Sequence, residues 1–218
     1  MEILKPFGPP ILKITVNQES IDALNNQCDY IISDENLRNK HNCSDRLSKV
    51  VKGKIKEELV CDITNKSLQN FRNSLFKGLF FLNNSILKDE FGVDLPKVSE
   101  EEFEFHVHSA WYVRSFESDF SPLHKHTNGT LNDSGLFSCV GYLKVPEVIQ
   151  NSLDSKAGCI DFMFGVTSPM NIGNFVIRPK VGDFYIFPGY LGHLVYPFQS
   201  EEERRSFSAN ITVGKTNG

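Results

Sequence analysis

The second half of this 218-residue chain is built of short, strand-like segments separated by glycine and proline, and this pattern constrains the fold more than any other feature. The segments are rich in aromatic and β-branched residues, and none has apolar residues at helical spacing over the length of a helix. We predict strands at Phe103–Phe116, Phe137–Val145, Cys159–Phe164, Phe175–Arg178, Asp183–Phe187, Gly192–Phe198 and Arg204–Val213. So many short strands between tight turns predict a double-sheet jelly roll or a small barrel.

Residues 1–100 differ, because most of their apolar residues recur at helical spacing. We predict an edge strand at Ile11–Val16 and a helix at Glu19–Cys28. The polar stretch Ser33–Lys49 is predicted to be a loop.

A longer helix is predicted from about Asn65 to Glu90, with Thr64 or Asn65 as its N-cap and Gly92 at its end. Its apolar stripe consists of Leu68, Phe71, Leu75, Leu79, Leu82 and Ile86. The predicted fold is therefore mostly β. A jelly-roll core (a double-stranded β-helix) spans 103–214, a helix-rich portion at 1–100 packs on it, and 1–218 form a single domain.

Composition excludes several classes of protein. A formal net charge of −4 and a pI near 5.9 argue against a nucleic-acid binder that works by neutralising phosphates. No stretch approaches the ~18 apolar residues of a membrane span, and the first residues lack the features of a signal peptide. The five cysteines form no C-x-x-C pair, so reduced thiols in a cytoplasmic protein are expected.

Four of the six histidines form two H-x-H pairs, which are candidate metal ligands. Residues i and i+2 of a strand share a face, so each pair can present two imidazoles to one metal. His124 and His126 lie where a strand begins or ends, as ligands at the mouth of a barrel do. His106 and His108 are in mid-strand and are predicted to lie on the outer, polar face.

The last predicted strand separates by parity into a polar and an apolar face. Arg204, Ser206, Ser208 and Asn210 face one way, and Arg205, Phe207, Ala209 and Ile211 face the other. The polar face lies either in water, as in an ordinary amphipathic strand, or inside a barrel mouth. Inside a mouth, the planar fork of an arginine can bind a carboxylate through two hydrogen bonds.

These elements, in this order, resemble the iron(II)/2-oxoglutarate-dependent dioxygenase superfamily, especially a group of small oxygenases common in marine bacteria and their phages. The resemblance rests on His124-Lys125-His126, the strand Ser138-Cys139-Val140-Gly141-Tyr142-Leu143, the distal His193, and Arg204-Arg205-Ser206. It covers about half of the chain, from 104 to 213. It implies that iron(II) is held by His124, His126 and His193, with no catalytic side chain beyond the metal site.

The same resemblance implies that 2-oxoglutarate is bound by Arg204, Ser206 and Tyr142. It also implies a hydroxylation of a substrate C–H bond by dioxygen, with release of succinate and carbon dioxide. A virus-encoded member would work in the host cytoplasm.

One departure concerns the metal ligands. The superfamily usually has H-x-D or H-x-E, and here His126 occupies the position of the carboxylate. We expect a site with three histidines, although a solvent molecule or a halide beside His124 and His193 is the alternative.

Two other classes of function remain open at the level of sequence. One is a cupin-like metal enzyme that does not use 2-oxoglutarate, and the other is a metal-free jelly-roll binding or structural module. The substrate, a small molecule or a protein side chain, is not indicated, and neither is the oligomeric state. The loop at 128–136 and the stretch at 33–49 are candidate lids over the substrate side.

Overall fold

A computed structural model describes residues 1–4, 8–44, 55–86, 98–127, 136–153, 156–170 and 172–215. Side chains at 85, 86 and 215 lie outside this description, as do the candidate lid at 128–135, residues 45–49 and the predicted helix end at Gly92. Among the described residues, no helix is both long enough and apolar enough to cross a membrane.

The described residues form two antiparallel sheets that face each other. The strands are β1 (Glu2–Leu4), β2 (Ile11–Thr15), β3 (Glu57–Val60), β4 (Phe103–Ser115), β5 (Ser121–His124), β6 (Leu136–Lys144), β7 (Ile160–Met163), β8 (Asn174–Ile177), β9 (Asp183–Pro188), β10 (Gly192–Val195) and β11 (Arg204–Lys215). The large sheet has the order β1-β2-β9-β6-β11-β4-β3, and the small sheet has the order β5-β10-β7-β8. This mostly β, double-sheet architecture confirms the predicted fold class.

Most of the helices cover the outer face of the large sheet. These are α1 (Gln18–Ser33), α2 (Glu35–His41) and a 3-10 turn (Lys66–Leu68) that leads into α3 (Gln69–Ile86). The short α4 (Glu147–Asn151) lies instead beside Gly158 and Arg178. Asn65 caps the 3-10 turn by accepting a hydrogen bond from the Ser67 amide, as predicted for one of the two candidate caps. The predicted stripe from Leu68 to Leu82 is buried against the sheet.

A second apolar core lies between the two sheets. Its members include Val140, Tyr142, Ile160, Phe162 and Phe187. The large sheet therefore has one face against the helices and the other against the small sheet, and each face has its own core. Because consecutive side chains of a strand point to opposite faces, adjacent residues on these strands belong to different environments.

Gly141 shows how closely the helix-side core packs on the sheet. A Cβ atom at this position would lie 2.0 Å from the Phe184 ring, which itself contacts the rings of Phe71 and Phe207. Any larger residue would displace these rings, so glycine is required beside Tyr142 for steric reasons.

Two predictions for the first half are wrong. The stretch from Ser33 is not a loop throughout, because α1 continues to Ser33 and α2 occupies Glu35–His41, capped by the Asp34 side chain. No residue of α2 is buried, so the helix has no apolar stripe for the sequence to reveal. The strand at Ile11–Thr15 is not an edge, because β1 pairs with its outer side.

Candidate active site

A cavity of about 80 Å³ lies between the two sheets. Its lining brings together residues that are far apart in the sequence, most of them on strands of the two sheets. The lining residues that carry the chemistry are His124, His126, His193, Arg204, Ser206 and Glu58.

The three predicted histidine ligands converge at this cavity. His124 ends β5 and lies directly across the small sheet from His193 on β10. His126 follows two residues later, held by a 2.8 Å hydrogen bond from its backbone N–H to the Gly189 carbonyl. One ring nitrogen from each histidine lies within 4.8 Å of the others, a spacing that can hold one metal ion.

Hydrogen bonds fix which nitrogen of each ring is free to bind a metal. Nδ1 of His124 is 2.8 Å from the Pro122 carbonyl oxygen, and Nδ1 of His193 is 3.1 Å from the Leu191 carbonyl oxygen. Nδ1 of His126 contacts Oδ1 of Asn210. A carbonyl oxygen only accepts, so each Nδ1 must donate its hydrogen, and each Nε2 keeps a lone pair.

Burial keeps these imidazoles neutral. Desolvation lowers the pKa of His124 and of His126, and it lowers the pKa of the buried His193 well below the ordinary value. Near neutral pH the three rings are therefore unprotonated at Nε2, which is the form that binds a metal.

The ligand set contains no carboxylate within the described part of the chain. His126 takes the place expected for the usual acidic residue, and its ring is nearly parallel to that of Trp111, with centroids 6.1 Å apart. Three neutral ligands leave the full charge of a divalent metal for an anionic co-substrate.

The other H-x-H pair lies elsewhere. His106 and His108 are exposed on β4, and Nε2 of His108 is 2.8 Å from Oγ1 of Thr212. This agrees with the prediction that the pair lies on an outer face, and no third ligand joins it among the described residues.

Arg204 projects into the space between the sheets, as strand parity predicts. The residue is 2% exposed, and its guanidinium carbon lies 5.1 Å from the centre of the Tyr142 ring. Ser206 pairs with Tyr142 across β11 and β6, so all three residues face the same space.

The polar atoms of this group are unsatisfied. Among the described residues, no hydrogen-bond partner exists for Nε or Nη2 of Arg204 or for Oη of Tyr142. Burial lowers the pKa of Arg204 and raises that of Tyr142 to about 12. Unpaired donors buried at this depth are costly, and a bound anion with several acceptor oxygens would satisfy them.

Sequence reasoning missed two residues of the site. Asn210 was placed on the polar face of the last strand, but its contact with His126 was not foreseen. Glu58 lies on β3, which has only four residues and no clear alternation, so no local pattern in the sequence points to it.

Comparisons with known proteins agree with this geometry. Residues 109–210 match the family described as "Putative 2OG-Fe(II) oxygenase", and this range contains every predicted site residue. No curated protein matches the chain in sequence.

Several solved structures share the fold. A Pseudomonas putida prolyl-4-hydroxylase is 15% identical with a TM-score of 0.51, over 93% of this chain and 91% of that one. The viral collagen prolyl hydroxylase of Paramecium Bursaria Chlorella virus-1, in a 2-oxoglutarate complex, is 16% identical with a TM-score of 0.53, over 92% and 94%.

HygX from Streptomyces hygroscopicus, with nickel, 2-oxoglutarate and hygromycin B bound, is 8% identical with a TM-score of 0.57, over 93% and 82%. At these identities the likeness establishes the fold. Together with the family match over residues 109–210, it confirms the resemblance of this chain to the iron(II)/2-oxoglutarate-dependent dioxygenase superfamily.

Proposed function

We propose that this chain is an iron(II)- and 2-oxoglutarate-dependent oxygenase that hydroxylates a C–H bond of its substrate. In this proposal His124, His126 and His193 hold the iron. Arg204, Ser206 and Tyr142 hold the distal carboxylate of 2-oxoglutarate. The observation that carries the proposal is the combination of three converging Nε2 lone pairs with an unsatisfied buried arginine in one cavity.

Each group of residues has a distinct task. The hydrogen bonds at Nδ1 orient the three imidazoles and fix their tautomers, so the metal site needs little reorganisation on binding. Nε and Nη2 of Arg204 can donate two parallel hydrogen bonds to a carboxylate, and the hydroxyls of Tyr142 and Ser206 lie on the same side.

Iron(II) with 2-oxoglutarate supplies the oxidative chemistry in this family, with dioxygen as oxidant and with succinate and carbon dioxide as products. The protein contributes orientation and the exclusion of water. Apolar rings pack against His193, with the ring centroids of Phe187 and Phe162 5.0 Å and 6.1 Å from that of His193.

The structure also bears on the two rival functions. A cupin-like enzyme without 2-oxoglutarate would leave the buried donors of Arg204 unpaired. A metal-free module would have no use for three lone pairs directed at one point. Each rival function therefore leaves either the Arg204 donors or the three histidines without a role, whereas the oxygenase function uses both.

Anaerobic titration with iron(II) and then 2-oxoglutarate tests the proposal. We expect a metal-to-ligand charge-transfer band that appears only when both are present. The Arg204→Ala variant should need a higher 2-oxoglutarate concentration to give the same band. Absence of the band in a folded, iron-loaded protein would favour the cupin-like alternative, and failure to retain iron would favour the metal-free one.

A further inference from the structure

Glu58 lies in the same cavity as the metal ligands but on the other side of β11 from Tyr142. Strand pairing places Tyr142, Ser206, Val113 and Glu58 in one row across β6, β11, β4 and β3. Neighbouring strands are ~4.8 Å apart, so the backbone of Glu58 is about 10 Å from that of Ser206. Glu58 therefore lies two strands away from Ser206, where its side chain can meet a different part of a bound ligand.

The carboxyl group of Glu58 is buried, and its charge is not balanced by any of the described residues. The residue is 8% exposed, and it forms no ion pair with any residue that the structure describes. Burial raises its pKa to about 7, an effect that the neighbouring Trp111 side chain opposes by hydrogen bonding. A cation bound next to this carboxyl group would stabilise its ionised form, which burial disfavours.

The surroundings of Glu58 are apolar and aromatic. Val113 pairs with Glu58 across the strands, Trp111 hydrogen-bonds its carboxyl group, and Ile55 and Phe120 line the same cavity. An aromatic face attracts a cation, and aliphatic walls accept the hydrocarbon chain that carries the cation. The cavity is small, at about 80 Å³, so it favours a slender group over a bulky ring system.

We propose that Glu58 recognises the substrate, and that the substrate carries a protonated nitrogen on a slender aliphatic chain that lies along Trp111. This inference rests on the proposed oxygenase function, because it assigns the substrate class of the same cavity. A free alkylamine and a lysyl side chain offer the same chemistry, and they differ only in what is attached beyond the chain.

The chain supplies its own probe for this site. Trp111 is the single tryptophan of the sequence, and it lines the cavity next to Glu58. Its fluorescence therefore reports on ligands that bind there. The titrants are n-pentylammonium and its neutral isostere 1-pentanol, added to the full-length protein at about pH 8, where the carboxylate and the ammonium group are both charged.

We expect n-pentylammonium to bind at least about 10-fold more tightly than 1-pentanol, as a charge-assisted hydrogen bond to a buried group would give. Nα-acetyl-lysine N-methylamide forms the second arm. Tighter binding of this compound than of n-pentylammonium assigns the site to a lysyl residue of a protein, and the reverse assigns it to a small amine.

Glu58→Gln should remove the preference for the ammonium compound, while Glu104→Gln, at an exposed position on β4, should keep it. Equal binding of the ammonium compound and the alcohol to the wild-type protein would overturn the inference without any variant. So would an unchanged preference in a folded Glu58→Gln protein, as judged by circular dichroism.

The outcome is separable from that of the proposed function. The charge-transfer band depends on iron and 2-oxoglutarate and is measured without any amine. A protein that forms the band but shows no cation preference refutes the role of Glu58 alone. A protein that shows the preference but forms no band supports a cation site and refutes the oxygenase.

Discussion

Arg204 and Arg205 are consecutive on β11 and both are buried, yet they face opposite sides of the large sheet. Arg205 donates to Asp29 at 2.7 Å, to Glu203 at 2.8 Å and to Asn25 at 3.1 Å. Arg204 leaves two of its nitrogens without a hydrogen-bond partner among the described residues. The same residue type is thus satisfied on the helix side and unsatisfied on the cavity side.

Adjacent glutamates on β3 repeat this contrast. Glu57 forms ion pairs with Arg38 and Arg114, and Glu58 faces the cavity with no ion pair among the described residues. Glu57, Arg114 and Arg205 form one row across the helix face of the sheet. The comparison teaches that charges on the helix face pair with one another and stabilise the fold, whereas Arg204 and Glu58 on the cavity face form no ion pair with any described residue, as is common where a protein binds a ligand.

The largest effect is expected at the three histidines that we propose as metal ligands. His193→Ala should abolish metal retention, because His193 is buried at the centre of the three-histidine group. His106→Ala should leave retention unchanged, because that residue is exposed and lies outside the group. Metal content after gel filtration measures both. Loss of metal in His106→Ala and His108→Ala, with retention in His124→Ala, would mean that the wrong pair is assigned.

On the helix side, Arg205→Ala should lower the free energy of unfolding by about 1.5–3 kcal/mol, since it removes the hydrogen bonds of a buried guanidinium to Glu203 and Asp29, while Arg114 still pairs with Glu203. Urea denaturation measures this loss. Arg204→Ala is the matched control and should change stability little, because Nε and Nη2 of Arg204 have no hydrogen-bond acceptor among the residues that the structure describes. A larger loss in Arg204→Ala would reverse the comparison.

The same network predicts an acid sensitivity. Burial alone would raise the pKa values of Glu203 and Asp29, but the hydrogen bonds of Arg205 hold both below their usual 4.5 and 3.8. Carboxylates with lowered pKa values stabilise the fold above these usual values, and this stabilisation is lost as the pH falls below them. Arg205→Ala should flatten that part of the stability profile.

On the cavity side, Arg204→Ala should weaken 2-oxoglutarate binding roughly 30-fold or more, as expected for loss of an arginine from a buried carboxylate (about 2–5 kcal/mol). Arg205→Ala should change the affinity little. Titration of the charge-transfer band in the two variants decides between them. A larger loss in Arg205→Ala would show that the strand register differs from the one described.

Much of this arrangement could be predicted from the sequence, because it depends on local periodicity. The alternation in Arg204–Val213 separates Arg204 from Arg205 correctly, and the i, i+2 spacing places His124 and His126 at one end of a strand. The helical stripe from Leu68 to Leu82 identifies the buttress of the large sheet. Each of these signals lies within a single helix or strand, so it can be recognised from neighbouring residues alone.

The rest depends on long-range pairing, which has no local signature. Glu58 reaches the cavity only because β3 pairs with β4, more than 50 residues later. Asn210 contacts His126 across 84 residues of sequence. The β1 strand has only three residues, and its pairing with β2 has no local signature in the sequence. The sequence therefore predicts β2 as an edge strand, although β1 covers that edge.

Glu58 is expected to make the free energy of unfolding depend on pH, with an effect of intermediate size. Its folded-state pKa of about 7 lies above its ordinary 4.5, so the native state holds the proton more tightly and loses stability as the pH rises from about 4.5 to beyond 7. Glu58→Gln should remove this loss and gain about 3 kcal/mol relative to wild type between pH 4 and pH 8.

The buried histidines titrate with the opposite sign, because their pKa values are lowered, so the difference between variant and wild type is the quantity to measure. Urea midpoints at the two pH values give it. A difference that does not change with pH would show that Glu58 is ionised freely and is not desolvated as described.

The smallest effect concerns Asn210, on the same face of β11 as Arg204. Its Oδ1 accepts from Nδ1 of His126, and its Nδ2 donates to Oγ of Ser109 at 3.2 Å. If His126 binds the metal, Asn210→Ala should weaken metal affinity about 10-fold, as the loss of a hydrogen bond that orients a ligand usually does. Thr212→Ala is the matched control, because Thr212 contacts His108 in the other pair, and it should leave the affinity unchanged. Competition with a metal chelator measures both affinities.

Equal affinities in Asn210→Ala and wild type would mean that His126 does not bind the metal, and that a solvent molecule or a halide completes a site held by His124 and His193.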